Sequence, residues 1–104
     1  MNDKIDMVEL QSVIVKDLHL EKEEEMLTSE NIEMFRDKLI QVINLLLHTD
    51  YHRLLNAMYR LDINEKLFRE AFSGMHSPNV AARLADLVIE REKEKIETRK
   101  KYKS

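Results

Sequence analysis

A single glycine and a single proline in 104 residues most restrict what this chain can become. Ordinary soluble domains carry about 7% glycine and about 5% proline. Hairpins and tight turns draw on those residues, whereas helix interiors exclude them. Charged residues make up 36% of the chain, and Leu, Glu, Lys, Arg, Met and Ala are frequent. The expected fold class is therefore all-α. The length suffices for one modest core. We expect one helical domain over residues 1–104, a bundle of four to five helices, with residues 1–4 and 101–104 frayed.

Met7, Leu10, Ile14 and Leu18 recur at helical spacing and predict a first helix over residues 5–26. The β-branched run "SVIV" would suit a short strand, but no second strand-like segment exists to pair with it. Like charges on successive turns of "EKEEEM" should fray the end of that helix. A break follows at "LTSEN", with Ser29 as the expected N-cap and Glu30 at the positive end of the next helix. Ile32, Phe35, Leu39, Val42, Ile43 and Leu46 then mark one stripe of an amphipathic helix over residues 30–47.

Past Leu46 the apolar positions change side. Leu47, Tyr51, Leu54, Leu55, Met58 and Leu61 fall on an arc rotated by very roughly 80°. A straight helix would have to twist its buried face within one turn. A break at "HTD" is simpler, with Asp50 or Thr49 capping a new helix over residues 50–61. Asp62 and Glu65 have capping-box spacing ahead of a short helix over residues 64–73, whose Leu67, Phe68, Ala71 and Phe72 should be buried. Gly74 suits a left-handed helix end, and Ser77–Pro78 starts the last helix, residues 78–100. Val80, Ala81, Leu84, Leu87 and Val88 form its packed arc. Beyond Ile89 the apolar stripe thins to Ile96 and Tyr102, so "EREKEKIETRKKYKS" is expected to extend as a charged, solvated tail.

Charge is uneven along the chain. Residues 1–30 hold nine acidic and three basic side chains, residues 31–88 seven of each, and residues 89–104 four acidic and seven basic. This reads first as two solvated polar ends. It also allows the ends to face each other, within one chain or between two. There is no cysteine, so neither a disulfide framework nor Cys-based metal chemistry is expected. The stretch "NDKIDMVELQ" lacks the basic-then-apolar order of a secretory signal. The most apolar run, "LIQVINLLL", falls far short of the ~20 residues that span a membrane. The expectation is a cytoplasmic protein without membrane attachment.

Around "LLNAMYRLDINEKLF", Tyr59, Arg60, Leu61, Asp62, Ile63 and Glu65 form a Tyr-Arg-Leu-Asp-Ile-x-Glu segment. There the chain resembles small uncharacterised bacterial all-helical proteins that carry a Tyr-Arg-Leu/Ile-Asp-Ile/Val-x-Glu segment. The resemblance implies a bacterial cytoplasmic helical protein and brings no activity with it. Read from the residues alone, the segment is a helix–helix corner, with Tyr59 and Leu61 near the core, Asp62 as a cap and Arg60 available for pairing.

His48 and His52 are the remote candidates for a metal site, since histidines at i and i+4 can both ligate zinc. The glutamate that follows the first histidine in such hydrolases is missing. A third ligand would have to come from His19, Glu23 or His76 on another segment. Carboxylate chemistry inside a bundle needs inward-facing acids, and Glu33, Asp37, Glu70 and Asp86 mostly lie off the apolar arcs. No catalytic residue, cofactor or small-molecule ligand is expected.

The leading expectation is a non-enzymatic helical protein–protein interaction module that pairs with itself as a homodimer. Leu45, Leu55, Ile89, Ile96 and Tyr102 are its candidate interface residues. The alternative is a regulator that binds nucleic acid through Lys93, Lys95, Arg99, Lys100, Lys101 and Lys103 on the basic C-terminal helix.

Overall fold

The computed structural model describes residues 7–23, 27, 29–73 and 77–102. Five α-helices occur among them: α1 (Met7–Asp17), α2 (Ile32–Thr49), α3 (Tyr51–Leu61), α4 (Glu65–Ser73) and α5 (Ser77–Lys101). A 3-10 turn, Glu21–Glu23, lies between α1 and α2. The described residues contain no strand, and the fold is all-α. At 25 residues α5 is about 37 Å long, and it sets the longest dimension of a body measuring 42 × 30 × 21 Å.

All four other helices pack on α5, most extensively α2. The core joins Leu10, Ile14 and Val15 of α1 and Leu18 just beyond it to Phe35, Leu39, Val42 and Ile43 of α2 and Leu54, Met58 and Leu61 of α3. On α5 it includes Ala81, Leu84, Ala85, Val88, Ile89 and Ile96. Burying one such leucine or isoleucine side chain contributes roughly 1.5–3 kcal/mol. Isolated helices shorter than ~12–15 residues are marginal in water, and α1, α3 and α4 have only 11, 11 and 9 residues. Packing on α5 therefore holds these helices, more than intrinsic propensity does.

The first helix is shorter than its apolar spacing predicts. It stops at Asp17 instead of running to residue 26, because His19 takes a left-handed conformation (φ 56°). The Leu20 N–H then reaches back to the Val15 carbonyl at 2.8 Å and the His19 N–H to the Lys16 carbonyl at 3.2 Å. This is the hydrogen-bond pattern of a Schellman end, and it turns Leu20 into the core beside Val15. The end of the predicted first helix, residues 24–26, lies outside the described residues.

The expected break at "HTD" is present. Asp50 ends α2 through its N–H to the Leu46 carbonyl (2.8 Å) and starts α3 by accepting the Arg53 N–H on its carboxylate (3.3 Å). Two other caps differ from expectation. Asn31, not Ser29, caps α2, its side-chain oxygen accepting from the Met34 N–H at 2.9 Å. The Ser29 hydroxyl donates to the Leu27 carbonyl instead. Asn64, not Asp62, caps α4 through the Leu67 N–H (3.1 Å). Asp62 itself is left-handed (φ 58°) and closes α3 with a second Schellman pattern, Ile63 N–H to the Met58 carbonyl.

Tyr59 stands in solvent and only Leu61 of that corner enters the core. On α4 only Ala71 is buried; Leu67 is exposed and Phe68 and Phe72 are half-buried, so this helix is a flank of the bundle. Gly74 lies outside the described residues, and so do the side chains of Ser77 and Pro78. The charged end of α5 does not leave the bundle directly after Ile89, because Glu92 and Ile96 are both fully buried.

His19→Gly should stabilise the fold. The left-handed conformation costs a residue with a Cβ ~1–2 kcal/mol, and glycine's greater unfolded-state freedom returns ~0.5–1 kcal/mol of that. A net gain of about 0.5 kcal/mol is expected in urea unfolding; a lower midpoint than wild type would show that the imidazole itself contributes.

Candidate functional site

The residues that sequence spacing put forward are dispersed by the fold. The His48–His52 pair straddles the break at Asp50, so the regular i,i+4 geometry is lost. The His48 Nδ1–H donates to the Asn44 carbonyl at 2.8 Å, and both imidazoles are exposed. His19 lies at the end of α1, exposed, while His76 and the Glu23 side chain lie outside the described residues. Among the described residues no three His, Asp or Glu side chains gather as metal ligands.

The interface candidates divide. Leu45 is 51% exposed and Tyr102 79%, and Leu55 is half-buried. Ile89 and Ile96, in contrast, are core residues at 5% and 0% exposure and are unavailable to a partner in this fold. Spacing alone left them on a thin stripe, and the fold buries that stripe in the core.

The basic side chains of α5 are largely engaged within the chain. Lys95 Nζ lies 3.3 Å from Asp17, Lys100 lies 3.9 Å from Glu9, and Lys93 lies 3.8 Å from Glu90. Arg99 and Lys101 are exposed, and Lys103 lies outside the described residues. The acidic front and the basic rear thus meet, at least in part, inside one protomer.

One constellation escaped the sequence reading: Asp17, Glu92 and Lys95. Glu92 continues the core stripe of α5, one turn after Val88 and one turn before Ile96, and it is 0% exposed. Both of its carboxyl oxygens are buried without a hydrogen-bond partner. Lys95 Nζ lies 4.0 Å from one of them, too far for a direct hydrogen bond, while pairing closely with Asp17. A spacing check on "EREKEKI" would have found it, since Val88, Glu92 and Ile96 are successive i,i+4 positions. The surrounding run of charges concealed it.

Electrostatics follow from this placement. Burial, and then the neighbouring Asp17 carboxylate, push the Glu92 carboxyl up to about 8, against opposing pulls from Lys95 and Arg99. For Asp17 burial acts upward, but the neighbouring Glu92 carboxyl and the charge and hydrogen bond of Lys95 together bring it below its ordinary value. The two shifts run in opposite directions: Glu92 is the carboxyl that favours the proton, and Asp17 is the one that favours its charged form, beside Lys95. A carboxyl at 0% exposure cannot meet a substrate, so what the cluster can do is bind and release that proton.

Arginines secure the helix ends around this joint. Arg53 and Arg60 of α3 donate to the carbonyls of His19 (2.6 Å) and Asp17 (3.2 Å) at the end of α1. On α5, Arg91 donates to the Leu61 carbonyl (2.9 Å) and Arg83 to the Ala71 carbonyl (3.2 Å). Cations at helix C-termini also complement the helix dipole.

Two clefts lie among the described residues. One, of about 300 Å³, is lined by Leu47, His48, Tyr51, Phe72 and Val80. The other, of about 430 Å³, lies between the start of α4 and the middle of α5, with Asp62, Glu90 and Glu94 among its lining residues. No helix among the described residues is long and apolar enough to cross a membrane. Comparison with protein-family models, curated proteins and solved structures finds no match to this chain.

The raised value of Glu92 makes the fold bind a proton that the unfolded chain has released. Its stabilising contribution is full below the ordinary 4.5 and is lost as pH rises through about 8. Asp17 acts oppositely, its contribution being lost as pH falls below its ordinary 3.8. Urea unfolding should therefore show stability falling between those Glu92 values at up to about 1.4 kcal/mol per pH unit. Glu92→Gln should flatten that slope; a flat wild-type profile would contradict a proton at Glu92. His52→Ala, at an exposed position, should change stability by no more than about 0.5 kcal/mol.

Proposed function

We propose that this chain is a non-enzymatic helical protein–protein interaction module that associates with a second copy of itself, in a bacterial cytoplasm. The observation that carries this reading is the apolar surface at the α2–α3 corner. Tyr51 is 42% exposed beside the cleft it forms with Leu47, His48, Phe72 and Val80. Leu45, half exposed, lies one turn before His48 on α2. Exposed apolar side chains grouped around a cleft are what protein interfaces bury.

The corner is also stiff. Tyr51 meets Phe72 edge to face at 6.5 Å, and Phe72 meets Phe68 at 5.1 Å. Aromatic anchors held by neighbours lose little freedom on binding, which suits them to the centre of an interface. Tyr102 lies about 33 Å along α5 from Val80 and so belongs to a different part of the surface. The contact is apolar, because Glu9–Lys100 and Asp17–Lys95 already use charge complementarity inside the protomer.

Size-exclusion chromatography with light scattering tests this. A dimer at tens of micromolar protein is expected at both low and high salt, since an apolar contact is little screened. The double variant Leu45→Glu/Tyr51→Glu should run as a monomer with unchanged helical circular dichroism. A wild-type protein that is strictly monomeric under both conditions would overturn the reading.

A further inference from the structure

We propose that α1 is a proton-controlled latch: the Asp17–Glu92–Lys95 cluster holds it on α5 while the two carboxyls share one proton, and loss of that proton frees α1 from α5. The device stands on burial and charge count. Glu92 sits in the apolar stripe of α5 at 0% exposure, with neither oxygen hydrogen-bonded. Asp17 is the last residue of α1, and Lys95 lies 3.3 Å from it and 4.0 Å from Glu92. One ammonium balances one carboxylate. A second charge in that space has no partner, and an unpaired buried charge is among the costliest arrangements a fold can hold.

The groups around the cluster leave this balance in place. From α1 come Asp17 and Lys16, and from α5 come Lys95 and Arg99. From α3 comes Arg60, whose Nε is bound to the Asp17 carbonyl. From α2, Arg36 reaches α5 and is committed to Asp86 in a two-pronged pair at 2.7 and 3.0 Å. Among these cations only Lys95 lies within ion-pair distance of Glu92.

Release is local because α1 packs chiefly on α5 and α3, while the α2–α5 and α4–α5 contacts do not pass through it. Arg53 and Arg60 keep the C-terminal end of α1 tied to α3, so α1 can part from α5 without the bundle opening. Ile96, fully buried, lies on α5 between Lys95 and Lys100, the two residues that pair with Asp17 and Glu9 of α1, so it is the apolar residue that such a parting would reach.

Methyl NMR on the full chain, from about pH 7 to about pH 9.5, separates this from global unfolding, since that window lies above ordinary histidine titration and below tyrosine. The Ile14 and Ile96 methyls should shift together in one transition centred near the Glu92 value of about 8, while the Ile43 methyls stay fixed. Glu92→Gln should abolish that transition. Asp17→Asn removes the carboxylate neighbour and should move the midpoint to lower pH, and it carries the test if the glutamine variant fails to fold. The latch is overturned if Ile14 and Ile96 do not respond. It is equally overturned if Ile43 moves with them, if Glu92→Gln retains the transition, or if Asp17→Asn leaves the midpoint in place.

Discussion

Burial of the α5 stripe from Val80 to Ile96 is the contact that the other helices share. Three of the four, α1, α3 and α4, are too short to persist alone, and each presents an apolar face to this one rod. Arg83 and Arg91 add directed bonds from α5 to the C-terminal carbonyls of α4 and α3. Arg53 and Arg60 do the same from α3 to α1. Terminal carbonyls that would otherwise need water or a glycine cap are thereby satisfied by side chains distant in sequence. Helix ends and helix packing are consequently one problem in this fold.

The apolar periodicity was a reliable guide wherever burial itself decides. The stripe from Phe35 to Leu46, the rotation of the buried face after it and the break at Asp50 all occur as the spacing implies. Caps were harder to read. "SEN" and "DIN" each contain two competent capping residues within three positions, and the choice of Asn31 and Asn64 depends on where the chain enters the bundle. The end of α1 at His19 was not legible, because a left-handed histidine has no compositional mark and Leu20 draws the turn inward through tertiary burial. Ile89 and Ile96 looked like an exposed stripe because the positions of the helices packed on α5 are not encoded in its own sequence.

Glu92 illustrates a different limit. Its neighbours Arg91, Lys93, Glu94 and Lys95 are partly or fully exposed, so averaging over the segment yields a solvated tail. Burial is a property of single positions on a wheel, and one position in four faces inward here. A carboxyl at that position weakens packing compared with a leucine of similar volume, since it is dehydrated without compensating bonds. What it adds is dependence on a neighbour's charge, which an apolar side chain cannot have. The same local chemistry leaves the His48–His52 pair, conspicuous in the sequence, as two exposed imidazoles flanking a helix break.

The break at Asp50 has a consequence for how this sequence can vary in length. One residue terminates α2 with its amide and begins α3 with its carboxylate, leaving no linker between the two helices. Elsewhere a surface loop absorbs an insertion by bulging outward. Here one added or deleted residue within either helix would rotate everything beyond it by about 100° and shift it by about 1.5 Å. Leu54, Met58 and Leu61 would then leave the core together, and the carbonyl bound by Arg91 would move with them. The α2–α3 corner is thus a fixed gauge for the chain, intolerant of changes in residue count on either side of Asp50.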